Sequence, residues 1–417
     1  MKIAVIGSGI SGLGASYIAQ HNGAEVHLFE SANYFGGHSN TIMVNDGISE
    51  FPVDTGFLVH NPNTYPHLIA LLKHLDVETV NTEMTLSIQI PEVQIEWGGT
   101  DLNSVFIQRK NIFNIRFLKM LLEILDFNKR AKEFLELARQ KPDMTLGELL
   151  NKNKFSEELS QWYLIPMAAS IWSTPVNKIM NFPASSFLQF CLNHSLLQVD
   201  GRPIWRTIKG GSREYVKKIT EKIPHKKLNS QIQSVSRSGG KVHLKVAGEI
   251  IQFDSVVFAT HPHQTLEILS DASAQEQNIL SCFQYQKNLA VVHSDEAVLP
   301  KNKKIWSAWN YSSSISTEQV SVSYLINKLQ PLPTQKSIIV DLNPYKEIDP
   351  TKIIKKIDYE HPLFDVPAMK AQKDIHQIQG TGGVYHVGAW QRYGFHEDGL
   401  LSSVWLAERL NWRLPWS

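Results

Sequence analysis

Three glycines, Gly7, Gly9 and Gly12, are followed by a carboxylate at Glu30, and these types at this spacing suit a dinucleotide. Gly7 permits a tight turn, Gly9 lets backbone approach a pyrophosphate, and Gly12 lets the next helix pack closely on its strand. The helix N-terminus then faces the phosphates, and Glu30 stands where it can accept hydrogen bonds from ribose hydroxyls. A second glycine pair, Gly36-Gly37, follows in FGGHSN. The other end of the chain carries another corner, Gly388 to Leu410. There, Asp398-Gly399 opens a helical pattern, and Asp398 is expected as its N-cap. Free N–H groups at that helix start can stabilise negative charge on a ligand. In the aromatic-rich stretch FCLNHSLLQ, His194 is either a buried structural histidine or an acid/base. The two cysteines, Cys191 and Cys282, stand in no metal-like spacing, so neither a metal site nor a disulfide framework is expected.

The elements that must position these residues are legible. KIAVIG reads as a strand, LGASYIAQHNG as a helix and EVHLFE as a strand ending at Glu30. GVYHVGAW reads as a strand reaching Gly388, and LLSSVWLAERL as a helix burying one face. A middle segment reads as strand, turn at Gly239-Gly240, strand, then the apolar run Ser255–Ala259. Between these lie two insertions. The first is mostly helical; the second holds NLAVVHSD, VSVSYLI and KSIIVDL, which read as an antiparallel sheet.

The bulk numbers bound the rest. A chain of 417 residues, 42% hydrophobic with a net charge of +1, can bury a large core in more than one domain. That charge balance gives no reason to expect nucleic acid. The N-terminus does not read as a signal peptide, and no apolar run is long enough to span a bilayer. With few cysteines, a cytoplasmic location is expected. One stretch departs from neutrality. Residues 106–132 carry Arg109, Lys110, Arg116, Lys119, Lys129, Arg130 and Lys132 against Glu123 and Asp126. It is either a core helix with a solvated face or a peripheral contact with the inner membrane surface beside a substrate entrance.

The motifs GSGISGLGAS, FGGHSNT, VDTGFLVHN, RPIWRTIKGGSREYV, VVFATHPHQ and GAWQRYGFHEDGLLSS together resemble the flavin-containing amine oxidase superfamily. That superfamily also holds carotenoid-type desaturases and fatty-acid isomerases. The resemblance covers nearly the whole chain and is strongest to a bacterial branch of predicted NAD/FAD-binding proteins. It implies an α/β fold whose second domain is α+β. A discontinuous Rossmann-like FAD-binding domain would comprise 1–60, 201–265 and 380–417. The substrate domain would take its helices from 61–200 and its antiparallel sheet from 266–379. The two corners are then halves of one site.

The resemblance implies that FAD is held non-covalently. In the first corner its contacts would be Gly7, Ser8, Gly9, Ser11, Gly12, Glu30 and Ser31. Gly36, Gly37, His38 and Ser39 would follow the pyrophosphate, and Thr55, Gly56 and Phe57 the flavin. Ile232 would meet adenine, or else pack in the core, and Ala259 would end a core strand near the cofactor. Gly388, Asp398, Gly399 and Leu400 would form the second corner. Relatives use a lysine near flavin N5. Lys287 stands where it is expected, with Asn288 as the alternative register. Tyr393 and Trp390 would form an aromatic wall or pack as core, and His396-Glu397 would be structural or orient the flavin. Two departures, Ala389 for an acid and His38 for an arginine, count against amine oxidation more than against FAD. The expected function is FAD-dependent oxidation, desaturation or isomerisation of an apolar, fatty-acyl-like substrate, with His194, Lys287 and Tyr393 as catalytic candidates. The alternatives are an amine oxidase and a non-catalytic flavin-binding redox module. The sequence leaves the oligomeric state open.

Overall fold

The computed structural model describes the chain except residues 173–178, 199–200, 202 and 315–318. Lys2–Ile6 is almost wholly buried, as the central strand of a sheet covered on both faces must be. It lies in a five-stranded parallel sheet in the order Val384–His386, Ser255–Phe258, Lys2–Ile6, Glu25–Phe29 and His225–Lys227. These strands come from the beginning, middle and end of the chain. Their carboxyl ends are sewn together where the strands finish. Gly7 N–H donates to Phe29 O at 2.9 Å, Ala259 N–H to Ile6 O at 2.8 Å, and Val387 N–H to Phe258 O at 2.9 Å. In open parallel sheets, ligands bind outside this end.

An antiparallel sheet of Ile232–Ser238, Lys241–Val246 and Glu249–Phe253 covers one side, packing Val235, Val242 and Leu244 against Ile6, Phe29 and Phe258. Its first hairpin turns at Gly239-Gly240, as expected.

The second domain is built on a seven-stranded sheet in the order Ile353–Pro362, Tyr285–His293, Ile339–Leu342, Gln319–Leu325, Trp309–Ser314, Leu86–Ile90 and Ile95–Gly98. The second insertion forms the expected antiparallel part. The first insertion is less purely helical than its sequence suggests. Leu86–Ile90 joins the sheet parallel to Trp309–Ser314, and Ile95–Gly98 pairs with it in turn. LSIQI and IEWG are too short to show a period of their own; a partner distant in sequence makes LSIQI a strand, and IEWG folds back on LSIQI as a hairpin. Over the sheet, helix Ile115–Arg139 packs on helix Ala184–Asn193 around Phe117, Phe127, Phe134 and Phe187.

Candidate dinucleotide site and adjoining aromatic wall

In the first corner, Gly7 has a φ of +99°, and a side chain there would press on the Ala259 carbonyl. One at Gly12 would overlap the Gly7 carbonyl oxygen. Gly9 is different. Its backbone, at φ −61° and ψ 176°, suits any residue, and an added Cβ would meet nothing within 4 Å. Folding therefore does not demand glycine at position 9. It stands before helix Ile10–His21, whose N-cap makes no side-chain hydrogen bond. Open space at an uncapped helix start is where a pyrophosphate fits.

Glu30 is fixed at the lip of this space. Its Oε2 accepts from Ser8 N–H at 2.8 Å and Ser8 Oγ at 2.6 Å, and its Oε1 from Ala32 N–H at 2.9 Å, with Ser31 Oγ at 3.3 Å. The second glycine loop touches the first, since Gly36 N–H donates to Ser8 O at 3.1 Å and a Cβ on Gly37 would lie 3.1 Å from Gly9 Cα. Ser230 N–H donates to Glu30 O at 2.8 Å, which brings Ile232 alongside, although its side chain is buried in the core.

The second corner reaches the first through helix His396–Arg409. Ser403 Oγ donates to Ser11 O at 2.6 Å. A Cβ on Gly399 would stand 2.7 Å from Ile10 Cγ2, and one on Gly14 2.8 Å from Leu400 Cδ1. Gly388 N–H donates to Ser402 Oγ at 2.9 Å. The expected N-cap needs correcting. The helix begins at His396 with Phe395 as its cap residue, and Asp398 is the third helical residue. From there its carboxylate reaches back to the N–H groups of Phe395 at 3.0 Å and Tyr393 at 3.2 Å, as third-position acids do. Glu397 turns the other way and accepts from His67 N–H at 2.8 Å and Leu68 N–H at 2.9 Å, opening helix Pro66–His74. Burial pushes Asp398 up to about 6 and Glu397 up to about 7.

Between the corners lies a network of rings and hydroxyls. His396 stacks on Phe57 at 3.8 Å, and its Nε2 lies 2.8 Å from the Tyr215 hydroxyl, which also bonds Ser39 Oγ. Thr55 Oγ1 donates to Asn40 O at 2.9 Å and lies 2.8 Å from the Tyr359 hydroxyl. A side chain on Gly56 would overlap the His38 carbonyl. His38 stacks on Tyr359 at 4.7 Å and lies 5.1 Å from His361, and its Nε2 is buried without a partner. His60 is buried with neither ring nitrogen bonded. Burial keeps these imidazoles neutral: His38 is held well below its usual range, His60 and His361 near 4 and His396 near 3.

The strand Tyr285–His293 resolves the register. Asn288 is buried, donates from Nδ2 to His361 Nδ1 at 2.7 Å and accepts from Asn343 Nδ2 at 2.7 Å. Lys287 is exposed, opposite Glu360, on the other face. Glu360 in turn lies 3.1 Å from His261 Nδ1. The inward position thus belongs to Asn288, and the expectation of an inward Lys287 is corrected.

His194 follows helix Ala184–Asn193, donates from Nδ1 to Phe190 O at 3.0 Å and is pushed down by burial to about 4. Phe190 stacks on Phe395 at 4.5 Å, with His194 5.4 Å from Phe395 and Tyr393 6.2 Å from Phe190. This is an aromatic wall beside the second corner. Trp390 is not part of it, for it packs on Phe283 at 4.6 Å in a separate core. A cavity of about 470 Å³, lined by Ile375, His376, Ser402, Trp405, Leu406 and Arg409, meets the second corner at Ser402 but none of the rings of the aromatic wall. Tyr359 and His361 stand in none of the motifs, and only their proximity to Thr55 and His38 marks them. Tyr215 stands in RPIWRTIKGGSREYV, but only its contact with His396 marks it as a site residue.

The family of NAD(P)-binding Rossmann-like domains matches residues 5–75. No curated protein is similar to the chain in sequence. Solved structures are similar over the whole length. A CLA-producing fatty acid isomerase from P. acnes has 15% identity over 98% of both chains and a TM-score of 0.68. Wild-type putrescine oxidase bound to putrescine has 14% identity over 99% of both chains and a TM-score of 0.69. Cyclohexylamine oxidase from Brevibacterium oxydans IH-35A has 14% identity over 98% of this chain and 99% of its own, with a TM-score of 0.68. The chain therefore carries an NAD(P)-binding Rossmann-like domain at its start and, over its full length, the fold shared by members of the flavin amine oxidase superfamily.

Proposed function

We propose that the protein is an FAD-dependent oxidoreductase acting on an uncharged, apolar substrate of the fatty-acyl class, by dehydrogenation, desaturation or double-bond isomerisation. One observation carries the substrate class. Apart from Arg392, the groups gathered at the second corner and the adjoining sheet are aromatic rings and imidazoles that burial keeps neutral, while Glu397 is taken up by backbone N–H groups and Asp398 by backbone N–H groups and the Arg392 guanidinium at 3.3 Å. An ammonium ion entering such a site would lose hydration without gaining a counter-charge.

The first corner fits the cofactor. The space at Gly9 would take the pyrophosphate, Glu30 the ribose hydroxyls, and the first turn of the last helix the polar edge of the flavin. Bound there, FAD supplies an acceptor for the hydride of a C–H bond. The protein's own part is positioning and exclusion of water. Phe190, Tyr393 and Phe395 would hold the alkyl chain. His194 keeps its Nδ1–H on the Phe190 carbonyl, which leaves Nε2 as the atom to accept or return a proton.

The likeness to a fatty acid isomerase supports this reading, and the likeness to putrescine and cyclohexylamine oxidases makes amine oxidation the second one. Anaerobic mixing of the yellow protein with acyl lipids and with amines separates them. Bleaching of the oxidised flavin band by an acyl lipid, or a shifted double bond in the recovered lipid, is expected. Bleaching by amines alone would replace the acyl reading.

A further inference from the structure

Helix Ile115–Arg139 buries Phe117, Met120, Phe127 and Phe134 on its inner side. Its outer side and the turn before it are unusual for a surface in water. Phe113 is 86% exposed, Ile115 80%, Leu102 77%, Leu122 68% and Ile112 45%. With Leu125 they make six of the fourteen large exposed apolar side chains among the described residues, within a short stretch of the chain. The elements that bear them adjoin, because Arg109 in the turn Arg109–Phe113 donates to Asn103 Oδ1 at 3.3 Å in helix Leu102–Val105. Contiguous apolar surface of this kind marks a contact with something outside the chain.

The charges beside it identify that contact. Arg109 reaches Asn103 and Lys110 reaches Gln94 Oε1 at 3.5 Å; among the described residues neither has a carboxylate at ion-pair distance. Arg116 is paired with Glu158, and Lys119 lies 3.8 Å from Glu123. Two uncompensated cations therefore flank a projecting apolar tip. A second copy of the chain is a poor occupant, because a two-fold contact would bring these cations against their own kind. An anionic bilayer surface matches both features. Apolar side chains enter the boundary between headgroups and acyl chains, and cations stay among the phosphates. Among the described residues no helix is long and apolar enough to cross a membrane, so the contact is a surface one.

We propose that the turn Arg109–Phe113 and the start of the following helix dock on an anionic phospholipid surface, with Phe113 and Ile115 entering it. The same helix packs on Ala184–Asn193, which carries Phe190 and ends at His194. The aromatic wall lies towards the other end of this helix, where Arg139 donates to Gln189 Oε1 at 2.6 Å, about 36 Å along the helix axis from Ile115. Docking does not depend on the substrate reading.

Co-sedimentation of the flavin-loaded full chain with vesicles tests this. Vesicles of phosphatidylcholine with a third phosphatidylglycerol should bind it at low salt, and pure phosphatidylcholine should bind it far less. High salt should release it, since the charges that face lipid are exposed. Arg109→Glu with Lys110→Glu should weaken binding at least tenfold, at about fivefold per basic residue lost near the surface. Phe113→Ser with Ile115→Ser should reduce it by a similar factor. Both pairs should keep the flavin and the melting temperature, and also turnover on detergent-dispersed substrate. No binding to anionic vesicles at low salt would overturn docking, as would binding unchanged in the serine pair. A dimer in light scattering that the serine pair dissolves would assign the surface to a second copy instead. Failure of the acyl lipid to react, with vesicle binding intact, would sink the substrate reading and leave docking in place.

Discussion

Ser403 Oγ donates to the backbone carbonyl of Ser11 at 2.6 Å, so the last helix and the first share a buried hydrogen bond across 392 residues of sequence. Both helices approach closely because Gly14 and Gly399 have no side chain at the contact. Ser403→Leu should push them apart. Overpacking of this kind costs about 1–3 kcal/mol. A lower melting temperature and a lower ratio of flavin to protein absorbance should appear together. Full flavin content in a destabilised variant would mean that the corners do not share one ligand.

The glycines separate folding from binding. Gly9→Val should leave stability near wild type, because open space surrounds its Cβ position, and should give colourless protein. Gly12→Val should fail differently, destabilising the fold itself through overlap with the Gly7 carbonyl. Thermal melts beside flavin spectra read both. A yellow Gly9→Val would place the pyrophosphate elsewhere.

Asp398→Ala removes the acceptor for the Phe395 and Tyr393 N–H groups. The loss of a cap costs about 1 kcal/mol. Dilution experiments should show faster release of flavin, with Asp398→Asn intermediate. Unchanged release in the alanine variant would detach this turn from the cofactor.

On the strand Tyr285–His293, Asn288→Ala should lower both stability and turnover. It leaves His361 and Asn343 without their partner, at about 1–3 kcal/mol for a buried polar group. Lys287→Met should change kcat little, since its side chain lies on the exposed face opposite Glu360. A large fall in kcat for Lys287→Met would reverse this assignment.

His60 gives a pH signature. Burial holds it at about 4 in the folded chain, below the usual ~6.5 of an unfolded one. The unfolded chain therefore takes up the proton first. Stability is full above pH 6.5 and is lost as the pH falls towards 4. In urea melts between pH 7 and pH 5, His60→Leu should lose less stability than wild type, by about 1–2 kcal/mol. An identical loss in both proteins would show that His60 does not resist protonation. Weaker flavin retention in this variant would assign its unbonded nitrogens to a ligand.

How much of this was written in the sequence follows from the range of the forces involved. Gly7, Gly9, Gly12 and Glu30 are legible because turn, helix and strand there are set within thirty residues by backbone sterics and apolar period. The tertiary structure decided what depends on partners distant in sequence. Asp398 looks like an N-cap in the sequence, but the helix begins at His396 after Phe395 and the carboxylate caps from inside. Strand Tyr285–His293 could offer Lys287 or Asn288, and pairing with Ile353–Pro362 chose Asn288, because a one-residue slip exchanges the two faces. LSIQI became a strand beside Trp309–Ser314, and IEWG by folding back on LSIQI. His38, His60 and His361 are ordinary histidines in the sequence. Their neutrality comes from burial, and burial is a property of the packed chain.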